Sequence, residues 1–565
     1  MDYKLEIARM IAEKAKLNED EVLQAIEMPV KAEMGDYAFP CFRLAKIAKK
    51  APNDIAAELA QSIKHSEAFD RLEAAGPYLN FFVNKGIYAG NIIKSILSQG
   101  EDYGRSGEGA GKTVVIDYSS PNVTHEFHFG HLFSTTIGAA IYRLYGFLGY
   151  KVIGINYIGD WGSQFGKLLY AYKTWSSREE LEKGGLDELT RIYVKFHKEA
   201  DEDDGLKEEA RKWLVKIESG DQEAVDLWKK FCGLCLESMD KVYKRLGIEF
   251  DYYRGESYYN DKMGAVVDEL REKNLLVESK GAHIVDLELY KMPACLILRS
   301  DGGTLYSTRD IATAFDRKRS FDFYKSLYVT DMRQNLHFAQ VYKVIELMGY
   351  DWAKDLVHIP YGLRTLETGP LSARAGNIIL LQDLFDTSVK RILEIINERN
   401  AGLADKERVA EDVGVGAVVF GALYTSRMKD EVFSWEKTLS FEGETGPYVQ
   451  YSHARASSVL AKSSGLGFGG QPDYEALTDS DSIELIKTLG AFPEKLKEAA
   501  EKYEPFILSR SLVAIAQAFN KFYHENPILT SEGGVRQARL ELVKCTKDVL
   551  KTGLGLLGIK APEQM

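Results

Sequence analysis

The stretch from Thr113 to Asn156 constrains this chain more than any other. Thr113-Val114-Val115-Ile116-Asp117-Tyr118 is a short β-branched run typical of a strand buried in a parallel sheet. A polar turn, Ser119-Ser120-Pro121-Asn122, leads toward a long apolar helix predicted from about His131 to Gly149. Lys151 to Asn156 then reads as a second strand. Strand, turn, helix, strand is the βαβ pattern of a nucleotide-binding α/β sheet.

The rest of the chain is arranged around that unit. Its 565 residues, 45% of them hydrophobic, suffice for several cores, and the length suggests roughly three or four domains. Residues 1–108 read as a small α+β unit. Helical periodicity runs through Leu5, Ile7 and Ile11, Tyr78 to Val83 forms a strand, and a Gly-rich linker runs from Gly104 to Gly111. Residues 109–390 hold the α/β pattern, interrupted at about 166–250 by charged amphipathic helix. Residues 391–565 are helical almost throughout. No run approaches the ~20 apolar residues of a membrane helix. Met1 to Glu6 has no apolar stretch behind a basic start, so no secretory signal is expected and a cytoplasmic location is.

Five scattered cysteines argue against a disulfide framework. Cys232 and Cys235 form a C-x-x-C, either half a zinc site or two small apolar residues one helical turn apart. With no second pair at ligand spacing, the helix reading is preferred and no protein-held metal is expected. The net charge of -12 speaks weakly against nucleic acid, but what matters is local surface. Between Arg536 and Lys560 six Lys/Arg face only two acids, which is either a basic surface or an ordinary solvated helix face.

Two short elements carry candidate chemistry. His128-Phe129-Gly130-His131 lies between a predicted strand and the start of a predicted helix. Glycine permits close backbone approach, a helix N-terminus favours negative charge, and imidazoles can donate to phosphate oxygens. The plain alternative is a pair of capping histidines. Leu371-Ser372-Ala373-Arg374-Ala375-Gly376-Asn377 is a small loop with one cation suited to a triphosphate, or else a surface turn.

Their surroundings resemble the arginyl-tRNA synthetases. The resemblance is carried by Ser119 to Asn122, the two-histidine element, Gly159-Asp160-Trp161-Gly162-Ser163-Gln164-Phe165-Gly166, Leu305 to Asp310, Gln334 to Phe338, Glu444 to Arg455 and Leu556 to Met565. Gly35 to Ala38 and Ala75 to Tyr78 resemble that family's N-terminal domain. The resemblance implies a class I Rossmann-type parallel-sheet catalytic domain (109–390). It also implies an α+β N-terminal domain for the tRNA elbow (1–108) and an all-α anticodon-binding domain (391–565). It implies ATP with Mg2+, L-arginine and tRNA(Arg) as ligands, a monomer, and a need for tRNA before adenylate forms. His128, Gly130, His131 and Arg374 would be catalytic, and His128, His131, Gly159, Asp160 and Arg374 would bind ATP. Asp117, Asn122, Tyr306, Asp310 and Gln334 would hold arginine, and Asn520, Tyr523 and Met565 the tRNA. A guanidinium offers five donors and no acceptor, so a pocket of carboxylates and amide oxygens suits it. The plain alternatives are a helix N-cap for Asp310 and simple core for Tyr306.

The chain departs from the family at four places, all but one close to where ATP would bind. His125 and Ala375 stand where lysines are usual, Phe133 replaces an arginine, and Val329 to Arg333 is unusual. Losing a positioned cation typically costs about a hundredfold in rate, so slowed activation is expected. Two other readings stay open: a paralogue that activates arginine for another acceptor or confers inhibitor resistance, and a silent tRNA-binding regulator.

Overall fold

The structure is a computed structural model that describes residues 3–27, 29, 31–123, 127–300, 302–362, 364–366, 379–465 and 470–565. By contact density the chain forms two compact units. The first is Met1–Tyr103 with Ala456–Ala491 and Gln517–Val549, and the second is Gly104–Arg455 with Phe492–Ala516 and Leu550–Met565. Three helices of the C-terminal region, Gly446–Ser463, Phe506–Glu525 and Gly533–Leu556, pass from one unit into the other.

In the first unit, strands β1 (Tyr37–Pro40), β2 (Phe69–Ala75) and β3 (Tyr78–Val83) form an antiparallel sheet in the order β1-β3-β2. Helices Tyr3–Ala15 and Pro52–Ser62 bury Ile7, Ile11, Ile55 and Leu59 against Leu79 and Phe81. The α+β reading of this region and the Tyr78–Val83 strand are both seen.

The second unit is built on a five-stranded, all-parallel sheet of β4 (Thr113–Asp117), β5 (Lys151–Asn156), β6 (Tyr252–Tyr253), β10 (Lys325–Asp331) and β11 (Leu356–Tyr361). A three-stranded antiparallel sheet, β7 (Val277–Ser279), β8 (Ala282–Val285) and β9 (Cys295–Leu298), lies between β6 and β10 in sequence. The parallel order β11-β10-β4-β5-β6 reverses direction between β4 and β10. In such sheets the crevice outside the carboxyl ends of those two strands is where ligands bind.

Val114, Val115 and Ile116 of β4 are fully buried, as a β-branched run covered on both faces should be. The following helix, Phe129–Phe147, starts two residues earlier than periodicity suggested, because His128 itself caps it. Gly138 lets this helix lie on β4: a Cβ there would come within 2.2 Å of Tyr118 Cβ. The 166–250 insertion is helical, comprising Ser163–Trp175, Arg178–Ala200, Gly205–Glu218 and Gln222–Arg245. The C-x-x-C lies on the last of these, with Cys235 buried and its thiol pushed up to about 12 by burial. No helix of the described residues is long and apolar enough to cross a membrane.

Candidate active site at the sheet reversal

The turn after β4 is built from two left-handed residues, Ser119 (φ 69°) and Ser120 (φ 49°). For residues with a Cβ this conformation costs roughly 1–2 kcal/mol each, so the surroundings must enforce it. They do so through a dense set of bonds. Ser119 Oγ is 2.8 Å from Thr135 Oγ1 and 2.7 Å from the Tyr243 hydroxyl, Ser134 Oγ donates to the Ser119 carbonyl at 3.0 Å, and the Ser120 N–H donates to Asn156 Oδ1 at 3.2 Å.

This turn fixes Asp117, whose buried carboxylate accepts from Ser120 Oγ at 2.7 Å and from Arg317 Nη2 at 2.6 Å. Arg317 is fully buried, and its Nε and Nη1 have no hydrogen-bond partner. Burial works against its charge, but Asp117 keeps its pKa well above the ordinary value. Beyond Asp117 the chain is zipped to the segment after β5. Gly159 N–H donates to the Pro121 carbonyl at 2.9 Å and Val123 N–H to the Gly159 carbonyl at 3.3 Å. A Cβ at Gly159 would sit 1.9 Å from Asn122 Oδ1.

The second acidic group lies on helix Tyr306–Phe321. Asp310 is inside this helix and Leu305 is its N-cap, so the capping alternative for Asp310 fails. Asp310 Oδ2 pairs with His337 Nε2 at 2.5 Å, and the Tyr157 hydroxyl donates to Oδ1 at 3.5 Å. Tyr306 is not core either, being 68% exposed. The Arg317 guanidinium lies 5.8 Å from the Tyr157 ring centre, so Arg317 and Tyr157 link Asp117 to Asp310. Gln334 ends a short 3-10 turn just past β10, and its side chain is exposed.

One acid here was not anticipated. Glu256 lies 3.2 Å from Arg309. Burial pushes its carboxyl up to about 7, Arg309 opposes the shift, and Asp310 and Asp160 add to it. The signal available in sequence was an acid directly after Arg254-Gly255 at the end of a strand. Asp160 supports this segment: its two carboxylate oxygens accept from Ser257 N–H (2.8 Å) and Ser257 Oγ (2.6 Å). Its pKa is raised by burial and held back by those bonds. Gly255 is required beside it, since a Cβ there would lie 2.5 Å from Asp160 Oδ1.

The two histidines do cap the helix. His128 Nδ1 accepts the Gly130 N–H at 3.1 Å, and His131 Nδ1 accepts the His128 N–H at 3.1 Å. Capping and function are compatible. An imidazole that accepts at Nδ1 carries its proton on Nε2, so each ring is a neutral Nε2–H donor at a positive helix end. Phe133, in place of the expected arginine, is buried in an apolar cluster with Phe129. His125, Arg374 and Ala375 lie outside the described residues. The chain leaving the Arg374 segment is tied to the signature, with Phe129 N–H on the Ile379 carbonyl and Leu381 N–H on the Phe127 carbonyl, both at 2.9 Å.

Of the residues expected to meet tRNA, Tyr523 (41% exposed) and Asn520 fall in the first unit, on helix Phe506–Glu525. Met565 falls in the second, packed on the Ile392–Leu439 cluster.

A parallel sheet that reverses direction beside a strand followed by a histidine-capped helix is the layout of a class I synthetase domain, and comparison with known proteins agrees. Residues 92–435 match the family model described as tRNA synthetases class I (R), catalytic domain. Residues 449–565 match the DALR anticodon binding domain, and residues 1–83 the arginyl tRNA synthetase N terminal domain. The chain is 51% identical to the arginine–tRNA ligase of Alkaliphilus metalliredigens and 50% identical to that of Clostridium botulinum, with all of each chain covered. Its structure matches an arginyl-tRNA synthetase of Thermus thermophilus at a TM-score of 0.83 and 27% identity, covering both chains completely. This chain belongs to the arginyl-tRNA synthetase family of class I aminoacyl-tRNA synthetases.

Proposed function

We propose that the protein activates L-arginine with ATP and transfers it to tRNA(Arg). The observation that carries this reading is the pair of partly buried acids Asp310 and Glu256, which sense each other's charge, with Asp310 one helical turn from the exposed Tyr306. Asp117 is closed off in a buried pair with Arg317, whereas Asp310 and Glu256 keep part of their side chains exposed beside His337 and Arg309. The substrate guanidinium therefore goes to Asp310 and Glu256, with Tyr306 as a stacking face. The α-amino and carboxylate end lies toward Asp117, Asn122 and Gln334. This orientation places the carboxylate near the histidine-capped helix.

In the first step an arginine carboxylate oxygen bonds to the α-phosphorus of ATP and the bond to pyrophosphate breaks. In the second, the terminal ribose hydroxyl of tRNA attacks the activated carbonyl and AMP leaves. His128 and His131 donate from Nε2 to phosphate oxygens, Gly130 and Gly159 permit close approach, and Asp160 holds the floor of the pocket through Ser257. Arg374 is assigned the remaining cation. Mg2+ would be carried mainly by the phosphates and water rather than by a protein cage. It would screen the triphosphate charge. Catalysis is positioning and charge stabilisation, with no covalent nucleophile. With lysine absent at 125 and 375, activation is slow for the family. The N-terminal (1–108) and C-terminal (391–565) regions engage the tRNA elbow and anticodon stem, Asn520, Tyr523 and Met565 contact the tRNA, and the protein acts as a cytoplasmic monomer.

The test is attachment of radiolabelled arginine to total tRNA with Mg-ATP, read as acid-precipitable counts. Charging that requires ATP is expected. Arginine binding without charging would point instead to a different acceptor.

A further inference from the structure

The signature helix begins at Phe129, the residue between the two capping histidines, and Phe129 is held on three sides. Its N–H donates to the Ile379 carbonyl at 2.9 Å. Its ring meets Phe133 edge-on at 5.2 Å and Phe433 at 5.5 Å and 65°. Phe133 is four residues along the same helix, so it moves with Phe129 and cannot fix the helix against the rest of the unit. Phe433 can. It lies on strand β13 (Glu431–Phe433), which pairs in parallel with β12 (Arg364–Leu366) and places Phe433 opposite Leu366. The Phe433 ring is itself backed by Trp435 at 5.0 Å, and the Arg391 guanidinium covers Trp435 at 4.8 Å.

We propose that Phe433 is a positioning residue for adenylate formation: by fixing the Phe129 ring, it sets where the His128 and His131 donors stand. The proposal rests on the functional reading above. His128 directly precedes Phe129, and its Nδ1 takes the N–H of Gly130, which directly follows. A swing of Phe129 therefore disturbs both cap bonds together. Room for that swing exists, because a cavity of about 60 Å³ lined by Phe129, Leu132, Phe133, Val418 and Phe433 adjoins the stack. Removing the Phe433 ring enlarges it. Misplacing a catalytic group by about 1 Å can cost on the order of a hundredfold in rate.

The test uses the full chain with tRNA present and reads arginine-dependent ATP–pyrophosphate exchange. F433A is expected to lower kcat about tenfold to hundredfold. The KM for arginine should stay within about twofold, because Asp310 and Glu256 are held by other elements. F433L should recover most of the rate. F196A, which removes a buried ring from the helical insertion, should lower the melting temperature without lowering kcat. A loss of stability in F433A at wild-type kcat, or a parallel rise in the KM for arginine, overturns the proposal. Nitrogen-15 spectra of histidine-labelled protein, assigned with H128Q and H131Q, give a readout independent of turnover. The Nε2–H pattern of both rings should be altered in F433A, or in F433V if F433A does not fold, and close to wild type in F433L. Unchanged ring signals would overturn the proposal even if the wild type charged no tRNA, a result that would count against the functional reading instead.

Discussion

On the reading proposed above, the crevice has an arginine side and a nucleotide side, and the two are built differently. On the arginine side, every described acid has a fixed partner: Asp117 with Arg317, Asp310 with His337, Glu256 with Arg309. On the nucleotide side the described elements are backbone N–H groups, two neutral imidazoles and small residues. The first arrangement suits one cation held by charge and geometry, and the second suits a polyanion met by backbone and imidazole donors. The family's usual lysines are replaced by His125 and Ala375, positions that the proposed reading assigns to the second.

The largest expected effect breaks the arginine side from within. Arg317→Met strands a buried Asp117 and should cost about 3–5 kcal/mol of stability by denaturant unfolding. A neutral result would mean that Asp117 is not the isolated charge its burial suggests. Next, Asp310→Asn should raise the KM for arginine more than a hundredfold, about 3 kcal/mol, with the KM for ATP nearly unchanged. An equal rise in both constants would erase the distinction between the two sides. Third, Ala375→Lys should speed adenylate formation by about tenfold or more in single-turnover assays. No gain would show that the nucleotide side manages without that cation.

The smallest effect sharpens the comparison through pH. Glu256 has a folded pKa of about 7 against an ordinary 4.5, so ionising it costs folded-state stability that grows as pH rises between those values. Arginine binding favours the ionised form. Its affinity should therefore improve by about tenfold from pH 6 to pH 8, with a proton released, and Glu256→Gln should flatten the profile in calorimetry.

The sequence exposed the parts whose signals are local. A β-branched run made β4, 3.6-residue periodicity marked the helices, and the order of the motifs identified the family. The partner of Asp117 was not legible, because Arg317 lies 200 residues away on a helix with nothing to mark it. Glu256 was missed for the same reason: its pKa comes from burial beside Asp310 and Asp160, which only the folded chain brings together. The two-histidine element was read as phosphate-binding or capping. The structure shows the capping, and the cap bonds leave Nε2 as the donor that phosphate binding would need.

The contact between Asn122 and Gly159 reaches beyond binding. These two positions share a wall with no space for even a methyl group at 159. A larger residue at 159 is tolerated only if 122 becomes smaller, so over evolutionary time a change at 159 should come only together with a change at 122.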